Sequence, residues 1–366
     1  MMKGAENMRK KILIVSMKAG FGHLRAGQAL ADYANECLPE IHATHLDAGE
    51  IAPPLAKLFN QKIYETAVRE FPELWGKAYE AFDHRLPARA LRHISRLQAP
   101  FCQKLINHVV SLQPDAVIFT YVAVAQLLAP SCRHRIKDVK LAMVVTDYHG
   151  HSLYNIPAID CFFVADDFVS KDLESTGVDP SKIKITGIPV KKTFYADYNR
   201  QKLKRKLGFI DDSKTILFIS RLDRDFILPT LEKILNSKEP LNLIMVCGGN
   251  ETLYQKIKKQ IRRRKNFKIL NWTNRLDQYM KAADIVVSKP GGLAISECLA
   301  LGKKIIMVDP IPGQEERNAK FIARCGYGQI ADGADQISLA VEKYLRDVKE
   351  EPLTRINACD KIFSYF

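Results

Sequence analysis

Short runs of β-branched and aliphatic residues recur from one end of this chain to the other, and most are separated by longer stretches with apolar residues at helical spacing. Two parallel strands cannot be joined by a tight turn and need a crossover of helical length, so this alternation implies βαβ units in a parallel sheet. In the first half the runs are Ile12–Ser16, Ile41–Leu46, Ala116–Thr120, Leu141–Thr146, Cys161–Val164 and Ile183–Thr186. In the second they are Thr215–Ser220, Leu243–Cys247, Phe267–Leu270, Ile285–Ser288 and Ile305–Val308. A chain of 366 residues has room for about two domains of ordinary size. The expected architecture is α/β, with two doubly wound sheets in tandem.

After Pro189 the pattern turns into the charged segment Lys202-Leu203-Lys204-Arg205-Lys206, which sets a first domain over 1–190 and a second over 191–366. One stretch, 51–104, breaks the rhythm. Helical periodicity continues there without a strand, carrying Phe59, Tyr64, Phe71, Trp75, Tyr79 and Phe82, and from His84 to Pro114 no acidic residue occurs. On a helix over that segment Arg85, Arg89, Arg92 and Arg96 share one face. The insert reads either as a solvated helix covering a sheet or as a basic element lying on anionic lipid, its aromatic residues at the headgroup boundary.

Charge narrows the partners. Of a net +14, residues 1–190 carry +2 and residues 191–366 carry +12. Such an excess draws phosphate in any form, whether nucleic acid, lipid headgroup or nucleotide diphosphate. Nucleic acid is the weakest of these readings, because the most basic tract, Lys256–Lys265, forms one helix face with no interleaved aromatic residue for base stacking. The apolar runs fall far below the ~20 residues of a spanning helix, and Ile12–Val15 is too short for the core of a secretory signal. Eight cysteines occur without a Cys-x-x-Cys pair, several inside apolar runs. Reduced, buried thiols of a cytosolic protein are expected, and no metal site.

The first strand runs into Lys18-Ala19-Gly20-Phe21-Gly22-His23-Leu24-Arg25, with a helix expected from about Gln28. Glycines after a strand let the chain turn tightly and bring a ligand onto backbone N–H groups. Gly20-x-Gly22 is not the dinucleotide fingerprint, since Arg25 stands where the third glycine belongs, and no Gly-Lys-Ser/Thr follows to make a Walker loop. What remains is a loop, Gly20 to Gly22, presenting His23 at the carboxyl end of a strand, where open α/β sheets bind ligands. His23 is read there either as a proton-transfer group or as a histidine that only orders the loop.

The strand Ile285–Ser288 leads into Lys289-Pro290-Gly291-Gly292 and a helix bearing Glu297; the next leads into Pro312-Gly313-Gln314-Glu315-Glu316-Arg317-Asn318. Gly291 and Gly292 open a helix whose N–H groups suit a diphosphate, Glu297 suits a ribose diol, and the following amide and carboxylates suit sugar hydroxyls. Together they read as a nucleotide-sugar site.

With these motifs in place, and with Val145-Thr146-Asp147-Tyr148-His149 between them, the sequence resembles the GT-B glycosyltransferases of family 28. Within them it is most similar to the branch of monogalactosyldiacylglycerol synthases and processive diacylglycerol glucosyltransferases. The resemblance implies a GT-B fold, two Rossmann-like domains facing an interdomain cleft, the first for acceptor and membrane, the second for the UDP-sugar. It implies that Gly291 and Gly292 cradle the diphosphate, Glu297 holds the ribose, and Gln314 and Glu315 face the hexose with Asn318 one turn on. The loop holding Trp272 meets the uracil, and His23 or Asp147 is the base on the acceptor side. For Asp147 a helix cap, and for Trp272 ordinary packing, are the plainer readings.

Two positions depart from the pattern. Ser220-Arg221-Leu222-Asp223-Arg224-Asp225 replaces a glycine-rich turn, placing Arg221 near the expected diphosphate; Asp223-Arg224-Asp225 reads as solvated charge. Lys289 stands eight positions before Glu297, where a retaining enzyme would have a second glutamate, so inversion is implied. The resemblance thus implies transfer of glucose or galactose from a UDP-sugar to diacylglycerol or a glycolipid, without metal or other cofactor, by a cytoplasmic enzyme held peripherally on the inner membrane face. The alternatives are a lipid-linked N-acetylglucosamine transferase or a UDP-sugar epimerase of the same architecture, or a membrane-bound UDP-sugar sensor without turnover.

Overall fold

The computed structural model describes residues 9–18, 20–51, 53, 64–84, 99–209, 213–261, 264–346 and 357–366. They fall into two compact units. The first comprises Met1–Lys192 with Ile311–Arg317 and Ile356–Phe366; the second comprises Thr193–Pro310 with Asn318–Arg355.

In the first unit, β1 (Lys10–Ser16), β2 (Ile41–Asp47), β3 (Ala116–Phe119), β4 (Lys140–Val144), β5 (Cys161–Val164) and β6 (Ile183–Ile185) form one sheet in the order β2-β1-β3-β4-β5-β6. Every pairing is parallel. Side chains alternate across it, as the two-residue period of a strand requires. Leu13, Val15, Val117, Phe119, Leu141 and Met143 share one core with Leu105 and Val109, Leu128 and Leu173, from the helices Gln103–Ser111, Val122–Arg135 and Asp167–Ser175. Ile12, Ile14, Ile118, Val144 and Phe163 share a second with Leu30 and Ala34 of the helix Gly22–Cys37 and with Cys359, Ile362 and Phe363 of the helix Ala358–Phe363.

That last helix lies beyond the expected boundary at residue 190, yet it closes the first unit's sheet. Burying Ile362 and Phe363 there is worth roughly 1.5–3 kcal/mol each, which local sequence gives no means to foresee. The thiols are all free, but only partly as expected: Cys37 and Cys325 are exposed and Cys161 is half-buried. Of the described helices, none is long and apolar enough to cross a membrane.

The second unit holds β7 (Lys214–Ile219), β8 (Leu241–Val246), β9 (Phe267–Leu270), β10 (Ile285–Ser288), β11 (Lys304–Met307) and β12 (Gly328–Ile330), in the order β12-β11-β10-β7-β8-β9 and again all parallel. Sequence patterning missed β12, a short edge strand opening on glycine. Gly328 is needed there, since a Cβ on it would come within 2.5 Å of the Ile305 carbonyl oxygen on β11. The order reverses between β1 and β3 in the first sheet and between β7 and β10 in the second. Ligands of open α/β sheets bind at such reversals, outside the carboxyl ends of the strands.

At the opposite end of the second sheet Asp284 is buried just before β10. Its carboxylate accepts the Thr215 N–H at 2.8 Å and faces Arg200 at 3.1 Å, Lys204 at 3.4 Å and Lys214 at 3.5 Å. Burial pushes its pKa up, but the Thr215 hydrogen bond and the three cations outweigh it, and the net shift is down. Asp284→Ala would leave the Lys204 ammonium buried without its carboxylate, and the expected loss is about 3 kcal/mol, read from urea unfolding. A carboxyl whose folded pKa is depressed stabilises above its unfolded pKa of about 3.9 and loses that contribution as pH falls through the folded value. The gap between parent and variant should therefore shrink in acid.

Candidate active site

At the first reversal, β1 ends on Ser16 and the chain turns at Gly20, whose φ of +77° is open to glycine at little cost. The helix then starts at Gly22 and not near Gln28 as expected, because the turn is complete at once. His23 consequently stands in the first helical turn. Its Nδ1 lies 2.7 Å from the carbonyl oxygen of Thr120, which follows β3, and 3.0 Å from Oγ1 of Thr146, beyond β4. A carbonyl oxygen only accepts, so Nδ1 carries the proton and Nε2 is the lone-pair nitrogen of the neutral ring. Burial lowers the His23 pKa; the Asp147 charge and the Thr120 hydrogen bond raise it, and burial wins. The imidazole is neutral at physiological pH.

Behind His23 a polar chain runs from the buried Ser16 and Thr120 out to the exposed Gln28. Thr120 Oγ1 and His45 Nε2 each lie 2.8 Å from Ser16 Oγ, and His45 Nδ1 lies 3.1 Å from Gln28 Oε1. Gly27 makes room for it, since a Cβ there would sit 2.2 Å from Ser16 Oγ and 2.6 Å from His45 Nε2.

Asp147 is 5% exposed and accepts a 3.0 Å hydrogen bond from Nε2 of Gln314. The segment Ile311–Arg317 belongs to this unit and is self-braced. Glu315 Oε2 accepts the Ile311 N–H at 2.8 Å, Glu316 Oε2 accepts the Gly313 N–H at 3.2 Å, and Gly313 takes a φ of +79°. Gln314 and Asp147, assigned separately from sequence, are thus direct partners. The four arginines of the insert, Arg85, Arg89, Arg92 and Arg96, lie outside the described residues.

At the second reversal, β10 passes through Lys289 and Pro290 to Gly291, which caps the helix Gly292–Ala300 without a side-chain cap hydrogen bond. Asn318 is fully buried and its Nδ2 donates to the Pro290 carbonyl at 3.2 Å, fixing the entry to that helix. Glu297 is 2% exposed on the same helix. Arg221, exposed after β7, packs its Cβ over Gly248. Trp272, 55% exposed after β9, lies beside Gly249.

The triplet Asp223-Arg224-Asp225 is not simply solvated. Arg224 Nε donates to Asp309 Oδ2 at 2.9 Å, Lys289 Nζ lies 3.5 Å from the same oxygen, and Asp223 takes Lys256 at 2.9 Å. Asp309 holds a φ of +48°, a conformation costing a residue with a Cβ about 1 kcal/mol or more. Sequence reasoning missed Arg224 and Asp309. Their positions after β7 and β11, beside the reversal, were the available signal.

Residues 23–190 match the family model described as monogalactosyldiacylglycerol (MGDG) synthase, and residues 226–363 match the glycosyltransferase family 28 C-terminal domain. A processive diacylglycerol beta-glucosyltransferase of Staphylococcus carnosus is 27% identical over 343 residues, covering 92% of this chain and 85% of the relative. Among solved structures, Acinetobacter baumannii MurG aligns with a TM-score of 0.59 at 13% identity, over 98% of this chain and 99% of that one. The UDP-GlcNAc 2-epimerase of Neisseria meningitidis aligns with a TM-score of 0.59 at 14% identity, over 97% and 99%. At such identities these two establish the fold.

The electrostatics of His23 generate a direct expectation. In a proton NMR titration its ring should protonate below the ordinary histidine value of about 6.5. Asp147→Asn removes the charge that raises it, and the midpoint should move lower still; an unchanged midpoint would sever the proposed coupling.

Proposed function

Because the chain belongs to glycosyltransferase family 28, in the branch of monogalactosyldiacylglycerol synthases and diacylglycerol glucosyltransferases, we propose that it moves a hexose from a UDP-sugar to diacylglycerol, or to a glycolipid built on it, with inversion at the anomeric carbon. The observation that carries this reading is the fixed tautomer of His23. With Nδ1–H committed to the Thr120 carbonyl, Nε2 is left to accept a proton from an acceptor hydroxyl.

In a single displacement the acceptor oxygen bonds to the anomeric carbon as the bond to the UDP oxygen breaks, and the hydroxyl proton passes to His23 Nε2. The Asp147 carboxylate, whose charge raises the His23 pKa, stabilises the imidazolium that results. This makes His23 the base and Asp147 its electrostatic partner. UDP departs onto the uncapped N–H groups at Gly291 and Gly292, with cationic support from Lys289, Arg224 and Arg221. Glu297 serves the ribose, Trp272 the uracil, and Gln314 and Glu315 the hexose. The Staphylococcus relative is named a glucosyltransferase, which favours glucose over galactose. Lipid as acceptor also gives the basic insert a purpose, holding the enzyme peripherally on an anionic surface.

The test is mass spectrometry of lipids after incubating the protein with diacylglycerol vesicles and, in turn, UDP-glucose, UDP-galactose and UDP-N-acetylglucosamine. A hexosyl lipid of inverted configuration is expected. An altered UDP-sugar formed without lipid would make the protein an epimerase, and binding without product would make it a sensor. His23→Ala should lower transfer by about 10²- to 10⁴-fold with UDP affinity kept; full turnover in that variant would pass the base to Asp147. Removing Arg85, Arg89, Arg92 and Arg96 together should release the protein from anionic vesicles, most visibly at low salt. Unchanged sedimentation with the vesicles would end the membrane role of that face.

A further inference from the structure

One set of contacts in the first unit is not used by the proposed chemistry. The helix Pro72–Ala81 of the insert, followed by Asp83, packs against the segment Ile311–Arg317. Two glycines permit the approach: a Cβ on Gly76 would lie 2.7 Å from Pro312 Cβ, and one on Gly313 would lie 2.9 Å from Tyr79 Cδ1. Neither site has space for a methyl group.

Polar contacts lock what the glycines bring together. Asp83 pairs with Arg317, whose guanidinium also lies 5.8 Å from the centroid of the Tyr79 ring. Asp83 Oδ1 accepts the Ser152 N–H at 2.9 Å. The Tyr79 hydroxyl lies 2.6 Å from His149 Nε2, and the Tyr79 carbonyl lies 3.0 Å from His151 Nε2. A solitary surface ion pair is worth little, but here one carboxylate joins the insert to the segment after β4 and, through Arg317, to Ile311–Arg317. Between those fastenings lies the Gln314 to Asp147 hydrogen bond.

We propose that Tyr79 and Asp83 are positioning residues for the transfer step: through Arg317 and Gly313 they hold the segment Ile311–Arg317 so that Gln314 is set against Asp147. The assignment rests on the reading in which Gln314 serves the hexose and Asp147 supports the base. The insert that breaks the βαβ rhythm then acts as a strut as well as a lipid-facing element. Its helix fixes an amide that must meet the sugar within a few tenths of an ångström, and misplacement on the ångström scale costs rate more than affinity for the rest of the donor. UDP itself is assigned to Gly291, Gly292 and Glu297, in the other unit, which none of these side chains belongs to.

The experiment compares the full-length parent with Asp83→Asn, Asp83→Glu and Tyr79→Phe, measuring kcat, KM for the UDP-sugar, UDP affinity and amide hydrogen exchange of residues 313–317. Asp83→Asn should lower kcat about 10- to 100-fold, leave UDP affinity unchanged, and speed exchange in that segment. Asp83→Glu should recover most of the rate. Tyr79→Phe should show the same pattern with a smaller loss. A purely structural role would lower the folded fraction while leaving kcat per folded molecule at the parent value, and that result in both Asp83→Asn and Tyr79→Phe overturns the proposal. A parent that transfers no sugar from any UDP-sugar tested defeats the proposed function. The strut is then judged by exchange alone, and unchanged protection of residues 313–317 in Asp83→Asn overturns it.

Discussion

Ser16 ends β1 and Thr120 directly follows β3, and their hydroxyls meet because these parallel strands lie side by side where the sheet order reverses. From that adjacency the rest of the first unit's chemistry follows. The chain leaving β1 must turn over the end of β3, so the first residues of the next helix pass within hydrogen-bond distance of the Thr120 carbonyl. A histidine placed there has one nitrogen claimed by backbone before any side chain competes for it. The sheet, not a catalytic side chain, thus selects the His23 tautomer, and the hydroxyls and His45 beneath it fill a space that Gly27 keeps open. Partial burial by the same packing disfavours the charged ring and keeps it neutral.

The second unit has a different strand order, β9-β8-β7-β10-β11-β12, but it too reverses once, and the electrostatics at that reversal are opposite. At its reversal the carboxyl ends of β7, β10 and β11 bring Arg224, Lys289 and Asp309 together, and the strained backbone of Asp309 is where the cations converge. Left-handed conformation at a residue other than glycine persists only where surrounding contacts over-determine it. Here two ion pairs do so, at the mouth of a helix whose first N–H groups have no side-chain cap. Asn318 holds the Pro290 carbonyl and so fixes the path into that helix. It is a residue that resemblance places near the sugar and that geometry gives a structural duty.

Much of this was legible in the residues and some was not, for physical reasons. Eleven of the twelve strands were visible as runs in one dimension: inner strands such as β1, β4, β8 and β10 are near-continuous apolar runs because both sheet faces are covered, while the edge strand β2 shows alternation instead. β12 escaped because an edge strand of three residues has neither the length nor the β-branched character that makes a run visible. The glycine loop and the Gly291-Gly292 turn were readable since glycine marks where backbone must bend or lie bare. The partnership of Gln314 with Asp147, 167 residues apart, and that of Arg224 with Asp309, 85 apart, were not. A side chain's partner is decided by tertiary distance, and local pattern carries none. The same holds for the last helix, whose amphipathic face says that it packs but not on which sheet.

The uneven charge of the two halves now has a physical reading. A nearby cation disfavours the protonated form of an imidazole and lowers its pKa; burial has already lowered that of His23, and further positive charge would lower it again and weaken the base that the proposed function assigns to it. A departing diphosphate asks for the reverse, positive charge fixed in place before the bond breaks. Under the proposed function, one chain meets both needs by keeping the two environments on separate sheets. The first 190 residues are nearly neutral, at +2, with a carboxylate as the main charge acting on the histidine; the remainder carries +12 and gathers cations at its strand ends. On this reading the net charge of the whole chain is the sum of two opposed local requirements, and shifting basic residues from the second half onto the loops around His23 would weaken the base without strengthening the leaving-group site.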